Sequence, residues 1–332
     1  MDQRGGIDLG GTKIQAVVVD ARNEVLGAER GPTPTAGGPA DVAEAIADLM
    51  RAAAAAAGVE ANALAGLGIG SPGEVDSERG TVGQARNLPG WEGSYPLGET
   101  LERELGVPVR LGNDVQVATD AEAELGAGRD YDSMLGVFWG TGVGGGIVLD
   151  RKPWLGRGIA GELGHVVVRI GGRRCPCGRH GCLEAYAGRG SMEARARKLA
   201  GEGRSTQLFE LMEKRGRTRL TSGIWARALD RDDDLARELL DEAVEALGAG
   251  VASAVNLLDV EAVIVGGGLG VRLGEPYRAR IEAAMLPHLF NDDAPPAIRL
   301  AALGDLGGAI GAALLVGRGG DGGRLAPGAG HA

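Results

Sequence analysis

Three cysteines and one histidine form the most specific chemical pattern in this 332-residue sequence. Cys175, Cys177 and Cys182 are its three cysteines, and His165 precedes them. Three thiolates and one imidazole complete a tetrahedral zinc site and leave no coordination position for a substrate. The odd, clustered cysteines argue against a disulfide framework and for a reducing compartment. We therefore predict a structural zinc site.

Two glycine-rich turns between apolar strand patterns could bind phosphate groups. They lie in residues 8–13 (DLGGTK) and 140–146 (GTGVGGG). Adjacent glycines let the backbone approach a phosphate closely and point N–H groups at it. Neither is a Walker A loop or a dinucleotide fingerprint, because a strand follows each turn. Two glycines that follow a later apolar strand form a third candidate segment for ATP. The residues that we assign to ATP are therefore Gly10, Gly11, Thr12, Lys13, Thr141, Gly142, Gly144, Gly145, Gly267 and Gly268.

Four carboxylates lie at predicted element ends beside glycine or asparagine: Glu74, Asp114, Glu162 and Glu184. Carboxylates accept hydrogen bonds from sugar hydroxyls, and phosphoryl transfer to an alcohol needs one carboxylate to take the hydroxyl proton. Each could instead be a helix cap or a surface charge, and Asp114 would suit an N-cap. Asp8, at the end of a predicted strand, could hold Mg²⁺ directly or through water.

The elements that must position these residues alternate between strands and helices. Residues 5–20 and 134–150 each predict a strand, a glycine turn and a second strand, so the chain has two similar halves. Further strands are predicted at 23–30, 64–70, 107–111 and 262–265, and helical segments at 41–57, 97–105, 115–125, 191–212, 224–229, 235–257 and 306–315. The alternation predicts an α/β protein with two lobes and a ligand-binding cleft between them.

We divide the chain into an N-terminal lobe (1–118) and a larger C-terminal lobe (119–303). A terminal helix (304–316) is apolar nearly all round, so we expect it to be buried by packing back on the N-terminal lobe. The tail (317–332) is rich in Gly and Arg and lacks apolar periodicity, which predicts disorder.

Composition excludes several classes of protein. The formal charge of −10, from 35 basic and 45 acidic residues, repels nucleic acid over the surface as a whole. No apolar run reaches about 18 residues, so we expect no membrane span. A strand pattern begins directly after the first few residues, so we expect no signal peptide and a cytoplasmic location.

At these motifs the sequence resembles the ROK family (repressor, open reading frame, kinase), and within it the bacterial glucokinases. The resemblance runs from Gly5 to about Val316. Besides the two glycine turns, the matching motifs are GIGSPGEV at 68–75, NLPGW at 87–91, GND at 112–114, GELGH at 161–165 and CPCGRHGCLE at 175–184. Two residues depart from the family pattern: Gln116 replaces a frequent asparagine, and Trp139 stands where smaller residues are common.

The resemblance implies an actin-like, ribonuclease-H-like fold with two lobes, an interlobe cleft and a zinc knuckle. It implies that Asp114 is the general base. The sugar contacts that it implies come from Gly73, Asn87, Asn113, Asp114, Glu162, His165 and Glu184. His165 then binds zinc through one ring nitrogen and sugar through the other, which is chemically coherent because metal binding fixes the tautomer.

We therefore expect ATP and a hexose to give ADP and a hexose 6-phosphate, with glucose favoured and with Mg²⁺ and structural Zn²⁺ as cofactors. Mannose, fructose and N-acetylmannosamine are alternative substrates. Polyphosphate is an alternative donor, for which no long basic groove is apparent. Two other functions are less well supported. A sugar-responsive repressor would carry a helix-turn-helix domain, for which we expect no room ahead of Asp8. A non-catalytic sugar-binding protein would not need Asp114 and both phosphate loops, which are intact here. We expect small-molecule partners, no nucleic acid or membrane, and a homo-oligomer.

Overall fold

The computed structural model describes residues 3–85 and 87–317. In chain order its strands are β1 (Arg4–Leu9), β2 (Lys13–Val19), β3 (Val25–Pro32), β4 (Leu67–Ser71), β5 (Glu74–Asp76), β6 (Thr81–Gly83), β7 (Val109–Asn113), β8 (Met134–Trp139), β9 (Val143–Leu149), β10 (Lys152–Pro153), β11 (Ala262–Gly266) and β12 (Ala297–Leu300). The helices are α1 (Pro39–Ala56), α2 (Leu97–Leu105), α3 (Asp114–Leu125), α4 (Glu184–Ala187), α5 (Arg189–Gly201), α6 (Leu208–Lys214), α7 (Ser222–Leu229), α8 (Asp234–Leu258), α9 (Gly267–Met285) and α10 (Gly307–Gly317). The tail for which disorder is predicted lies outside the described residues, except for Gly317, the last residue of α10.

The chain divides into two compact units. Unit 1 contains the described residues up to Gly126, the segment Lys152–Ala160 and the residues from Leu303 onward. Unit 2 contains Ala127–Arg151 and Gly161–Ala302. Each unit is built around its own sheet.

The sheet of unit 1 has the strand order β3-β2-β1-β4-β7. Strands β1, β4 and β7 are parallel, and β2 is antiparallel to both of its neighbours. Val18 of β2 belongs to a buried cluster with Ile46 of α1, whereas Val17 belongs to a second cluster with Ala309 and Ala313 of α10. Successive side chains of a strand point to opposite faces, so α1 covers one face of the sheet and α10 the other.

The sheet of unit 2 repeats this arrangement. An antiparallel pair, β8 and β9, is followed by the parallel strands β11 and β12 in the order β9-β8-β11-β12. The long helix α8 packs against α9, and the fully buried side chains of Trp139 and Trp225 fill the interior. Both units thus place a glycine-turned hairpin beside parallel strands, as the two halves of the sequence predict.

Helix α9 and strand β12 are not among the predicted elements. Helix α9 begins with two glycines, changes direction at Gly274, where φ is 65°, and contains Pro276. Glycine and proline have the lowest helix propensities, which is why the segment after β11 reads as a loop. In contrast, α10 is buried as its composition predicts, with Ala309, Ala312 and Ala313 fully inaccessible. Among the described residues, no helix combines the length and the apolar character that a membrane span requires.

Candidate active site

Three adjacent parallel strands of unit 1 end at one edge of the sheet. Asp8 of β1 is in register with Gly70 of β4, and Ser71 of β4 with Asn113 of β7. Asp114 follows directly and begins α3. In open α/β sheets, ligands bind outside the carboxyl ends of the strands. This edge therefore brings together Asp8, Asn113 and Asp114, which the sequence assigns to magnesium, sugar and proton transfer.

The turn between β1 and β2 is held to the chain just after β3. The Thr33 hydroxyl donates to the Gly10 carbonyl at 2.6 Å, and the Thr33 N–H donates to the Thr12 carbonyl at 3.3 Å. Gly10 N–H donates to the Lys13 carbonyl at 3.0 Å. Within residues 3–85 and 87–317, the N–H groups of Gly11 and Thr12 donate to no carbonyl. Two backbone donors at the tip of the turn are thus suited to an anionic ligand.

Asn87, an exposed residue of the NLPGW motif, lies beside this turn. A Cβ atom on Gly11 would stand 3.0 Å from Asn87 Nδ2. Gly73 lies between β4 and β5, close to Ala85 in the segment that leads to Asn87. Unit 1 therefore places the predicted sugar residue Gly73 on the loop after β4, and the predicted sugar residue Asn87, which follows β6, against the turn between β1 and β2.

The carboxylate of Asp8 is a reasonable ligand for a divalent cation. Burial raises the pKa of Asp8 above its ordinary value, and the charge of Lys13 opposes this rise. Gly308, in the first turn of α10, lies against the carboxylate, since a Cβ atom there would stand 2.9 Å from Asp8 Cγ. No ion pair of Asp8 is found in the described part of the chain. A hard cation such as Mg²⁺ would compensate this buried oxygen ligand.

Asn113, and not Asp114, is the N-cap of α3. The Asn113 side chain accepts hydrogen bonds from the N–H groups of Val115 and Gln116, both at 3.1 Å. The cap role considered for Asp114 in the sequence is therefore wrong. Asp114 is the first residue of the helix, and its Oδ1 accepts the Val115 N–H at 2.9 Å.

Gln116, which departs from the family pattern, is buried inside unit 1. Its Nε2 donates to Asp120 Oδ1 at 2.7 Å, one turn further along α3. The side chain therefore serves an intrahelical hydrogen bond.

In unit 2, the turn between β8 and β9 is fastened by the segment that begins α5. Gly140 N–H donates to the Gly142 carbonyl at 3.0 Å and closes the turn. Arg189 N–H donates to the Gly140 carbonyl at 3.2 Å, and Gly190 N–H donates to the Thr141 carbonyl at 3.0 Å. We call residues 140–142 the second phosphate turn. Gly144 and Gly145, which the sequence also assigns to ATP, lie in strand β9 and pair with β8.

Glu184, the first residue of α4, contacts the second phosphate turn. Its Oε2 accepts the Val143 N–H at 3.0 Å. Gly142 packs so closely on the carboxylate that a Cβ atom would stand only 2.2 Å from Glu184 Oε2. A larger residue at position 142 would displace the Glu184 carboxylate from this approach. Glu184 therefore joins the segment that follows Cys182 to the turn.

Gly267 and Gly268, the last two residues that the sequence assigns to ATP, form the first turn of α9. Gly267 has φ of +79°, and a Cβ atom there would stand 2.5 Å from the Trp139 carbonyl oxygen. A Cβ atom on Gly268 would stand 3.6 Å from Ser222 Oγ, at the start of α7. Trp139 is itself fixed by an indole N–H that donates to the Ala187 carbonyl at 2.7 Å. The N-termini of α7 and α9 thus meet beside the second phosphate turn.

Arg189 is a residue of this region that no pattern in the sequence singles out. Its Nη2 donates to Thr141 Oγ1 at 2.8 Å, and its Nη1 donates to Ser222 Oγ at 2.9 Å. Burial lowers its pKa, the charge of Arg219 lowers it further, and Glu193 opposes both effects. No spacing signature could have revealed it, because its two partners are far from it in the sequence.

A pocket of about 290 Å³ lies between α7 and α9. It is lined by Gly223, Ala226, Arg227, Asp230 and Arg272. Gly223 directly follows Ser222, which Arg189 links to Thr141, so this end of the pocket lies toward the second phosphate turn.

The four predicted zinc ligands lie together in unit 2. The ligand atoms of His165, Cys175, Cys177 and Cys182 all lie within 4.8 Å of one another. Cys175 Sγ lies 3.8 Å from His165 Nδ1, and Cys177 Sγ lies 3.8 Å from Cys182 Sγ. A set of three thiols and one imidazole at this spacing fits a closed tetrahedral zinc site.

The imidazole of His165 presents its two nitrogens to different partners. Nδ1 faces the cysteines, and Nε2 lies 3.7 Å from Glu162 Oε2. The Glu162 side chain is exposed, with 61% of its surface accessible. Nε2 and Glu162 are therefore available to a ligand while Nδ1 faces the cluster.

Unit 1 thus combines a glycine turn after its first strand with a carboxylate at the carboxyl ends of its parallel strands, an arrangement that can bind a phosphate and accept a proton. A model of the ROK family matches residues 4–318, and the chain belongs to this family. The predicted family membership is thereby confirmed.

The chain is similar to proteins of known function along nearly all of its length. It is 34% identical over 316 residues to a glucokinase of Halalkalibacterium halodurans, with 94% of each chain covered. It is 31% identical over 322 residues to an N-acetyl-D-glucosamine kinase of Shigella boydii, covering 93% of this chain and 98% of the relative.

Among solved structures, a ROK family glucokinase from Streptomyces griseus in complex with glucose and AMPPNP has a TM-score of 0.80 at 32% identity. The match covers 94% of this chain and 98% of that one. This likeness, together with the family match, confirms the predicted actin-like, ribonuclease-H-like fold class.

Proposed function

We propose that this protein is an ATP-dependent kinase that phosphorylates the 6-hydroxyl group of glucose. The observation that carries the proposal is the position of Asp114, at the strand edge that also holds Asp8 and beside the cap residue Asn113. The similarity to glucokinases supports glucose as the substrate. ATP and reduced thiols are typical of the cytoplasm, where we propose that the enzyme acts.

The proposed roles in unit 1 are proton transfer and sugar binding. Asp114 accepts the proton as the 6-hydroxyl oxygen attacks the terminal phosphorus atom of ATP. Gly73, Asn87 and Asn113 orient the sugar through hydrogen bonds to its hydroxyl groups. The free N–H groups of the first turn bind phosphate oxygens. Mg²⁺ held near Asp8 would neutralise charge on those oxygens.

The proposed roles in unit 2 are donor binding and sugar selection. The second phosphate turn and the first turn of α9 bind the phosphates of ATP, and the pocket between α7 and α9 receives its nucleoside. Glu162, His165 Nε2 and Glu184 bind sugar hydroxyls. Zinc bound by His165 Nδ1 and the three cysteines would hold these side chains in place.

A second candidate substrate is N-acetyl-D-glucosamine. The similarity to a kinase of that name over 93% of this chain favours it. Mannose, fructose and N-acetylmannosamine use the same kinds of hydroxyl contacts and belong in the same comparison. The reaction and its general base are the same in every case.

The test is a kcat/KM measurement with MgATP over these five sugars, with polyphosphate as a second donor. We expect the highest kcat/KM with glucose and ATP. 6-Deoxyglucose is the matched control, because it keeps the other hydroxyls and lacks the attacking one, so it should give no phosphorylated product. Another sugar with a tenfold higher kcat/KM would overturn glucose as the substrate. No phosphorylation of any sugar would overturn the kinase.

A further inference from the structure

Two arginine side chains meet at the second phosphate turn of unit 2. Arg189 holds the Thr141 and Ser222 hydroxyls, as described above. Arg219 lies beside the same turn, because a Cβ atom on Gly190 would stand 4.0 Å from Arg219 Nη2 and 3.6 Å from the Thr141 carbonyl oxygen. The two guanidinium groups are close enough for each to feel the charge of the other.

No carboxylate in the described part of the chain forms an ion pair with either arginine. Glu193 is the acidic group that acts on Arg189, but its oxygens accept hydrogen bonds from Arg197 and from the Leu220 N–H. The hydrogen-bond partners of the Arg189 guanidinium are neutral hydroxyls. Two neighbouring cations without an anion repel each other, and a partly desolvated cation is costly unless it is paired. The arrangement therefore lacks a negative group.

The groups around Arg189 and Arg219 indicate which kind of anion would bind there. Thr141 belongs to a glycine turn, Ser222 is the first residue of α7, and Gly268 lies in the first turn of α9 next to Ser222. Backbone N–H groups at a glycine turn and at helix N-termini favour phosphate oxygens. Arginine adds several donors in a fixed plane that matches phosphate geometry.

We propose that Arg189 and Arg219 bind the phosphate chain of the nucleotide donor at the second phosphate turn. This inference rests on the proposed function for its ligand, ATP. Arg189 positions the turn through Thr141 and Ser222 and also contacts the phosphates. Arg219 contacts the phosphates from the exposed side. Neither arginine takes part in sugar binding.

The test uses Arg219→Gln, because this side chain forms no hydrogen bond with any other residue that the structure describes. AMPPNP and adenosine are compared as competitive inhibitors against ATP. We expect Arg219→Gln to raise the Ki of AMPPNP and the KM of ATP about tenfold, the effect of losing one charged hydrogen bond. The Ki of adenosine and the KM of glucose should stay within about twofold. Arg217→Gln is the matched control, since it removes the same charge from another exposed position of the same loop.

Three outcomes would overturn the proposal. They are an unchanged Ki of AMPPNP, a parallel rise for AMPPNP and adenosine, and an equal effect of Arg217→Gln. Arg189→Lys and Arg189→Gln extend the test, because lysine should restore part of the AMPPNP affinity that glutamine loses. If the wild-type protein phosphorylates no sugar, calorimetric titration with AMPPNP still compares the variants. Failure of the kinase and failure of the arginine pair are thus separate results.

Discussion

The carboxylate of Glu184 has a partner that its sequence position does not suggest. Its place two residues after Cys182 indicates either a sugar contact or a simple helix cap. The structure shows Oε2 accepting the Val143 N–H, so the capping interpretation does not describe the observed bond. A carboxylate has two oxygens and about four lone-pair sites. Glu184 can therefore hold the second phosphate turn and still accept a hydrogen bond from a sugar hydroxyl.

Two substitutions of Glu184 separate these roles. Glu184→Gln keeps an oxygen for the Val143 N–H but loses the charge, so we expect a higher KM for glucose and a nearly unchanged KM for ATP. Glu184→Ala also releases the turn, so both KM values should rise. The loss of a sugar contact costs about 1–3 kcal/mol, which is a factor of about five or more. Glu202→Gln, at an exposed position of unit 2, is the control. A glucose KM that stays unchanged in both variants would remove Glu184 from the sugar site.

At the residue scale, local spacing decides what the sequence can reveal. The four predicted zinc ligands can be recognised in the sequence because three of them lie within eight consecutive residues, 175–182. Asp114 is visible through its neighbours in the GND motif. Arg189 is invisible because its partners, Thr141 and Ser222, come from two other elements. Only the packing of β8, α5 and α7 in unit 2 brings them together.

At the scale of elements, the segment around the cysteines (175–182) consists mainly of turns, which backbone hydrogen bonds hold together. Cys175 N–H donates to the Arg179 carbonyl at 2.8 Å, and Gly178 N–H donates to the Cys175 carbonyl at 2.9 Å. Burial alone would raise the pKa of Cys177, but hydrogen bonds from the Arg179 backbone, Cys175 and Cys182 lower it to about 7. In contrast, burial raises the pKa of Cys175 to about 12. A metal ion held by the four ligand atoms would tie these turns together, so we expect zinc binding and local folding to be coupled.

We expect one zinc ion per chain, and Cys177→Ser should lower this content in elemental analysis of freshly purified protein. The KM for glucose should rise more than the KM for ATP, because His165 and Glu184 depend on the metal-bound segment. His180→Ala is the matched control: it changes a side chain of the same segment that is outside the ligand cluster. A wild-type protein without metal would contradict the zinc site. Equal rises of both KM values would show that zinc supports unit 2 as a whole.

The elements themselves were predictable where their pattern is periodic. Both hairpins show apolar strands around a glycine turn, and α10 is apolar on every side. The end of the second turn could not be predicted from the sequence, because the glycines of β9 are compatible with either a turn or a strand. Helix α9 could not be predicted either, because its initial glycines, Gly274 and Pro276 all have low helix propensity.

For the whole molecule, the two sequence halves correspond to two sheets with the same order of hairpin and parallel strands. The two units are not continuous stretches of sequence, because Lys152–Ala160 and the residues from Leu303 onward belong to unit 1. Helix α10 covers one face of the first sheet although it ends the described chain. The apolar composition of this segment predicts its burial, and the N-terminal lobe is its expected partner. Which face of the sheet it covers depends on long-range packing, which no local pattern can indicate.

Stability of the whole molecule offers a test of Asp114 that does not depend on turnover. Asp114→Asn keeps the shape of the side chain and removes the base, so kcat should fall about 10²–10⁴-fold. The helix cap is Asn113, so we expect the variant to fold normally. Glucose at about 100 times its Kd stabilises a folded protein by about 2.7 kcal/mol, and this increase in the free energy of unfolding should persist in the variant.

The measurement combines a coupled kinase assay with thermal unfolding in the presence and absence of glucose. Asp130→Asn is the control, because the same chemical change at an exposed position should alter neither result. A variant with near-normal kcat would exclude Asp114 as the general base. A variant that loses both turnover and the glucose-dependent rise in Tm would show that Asp114 acts in sugar binding, because a residue needed only for proton transfer leaves ground-state binding intact.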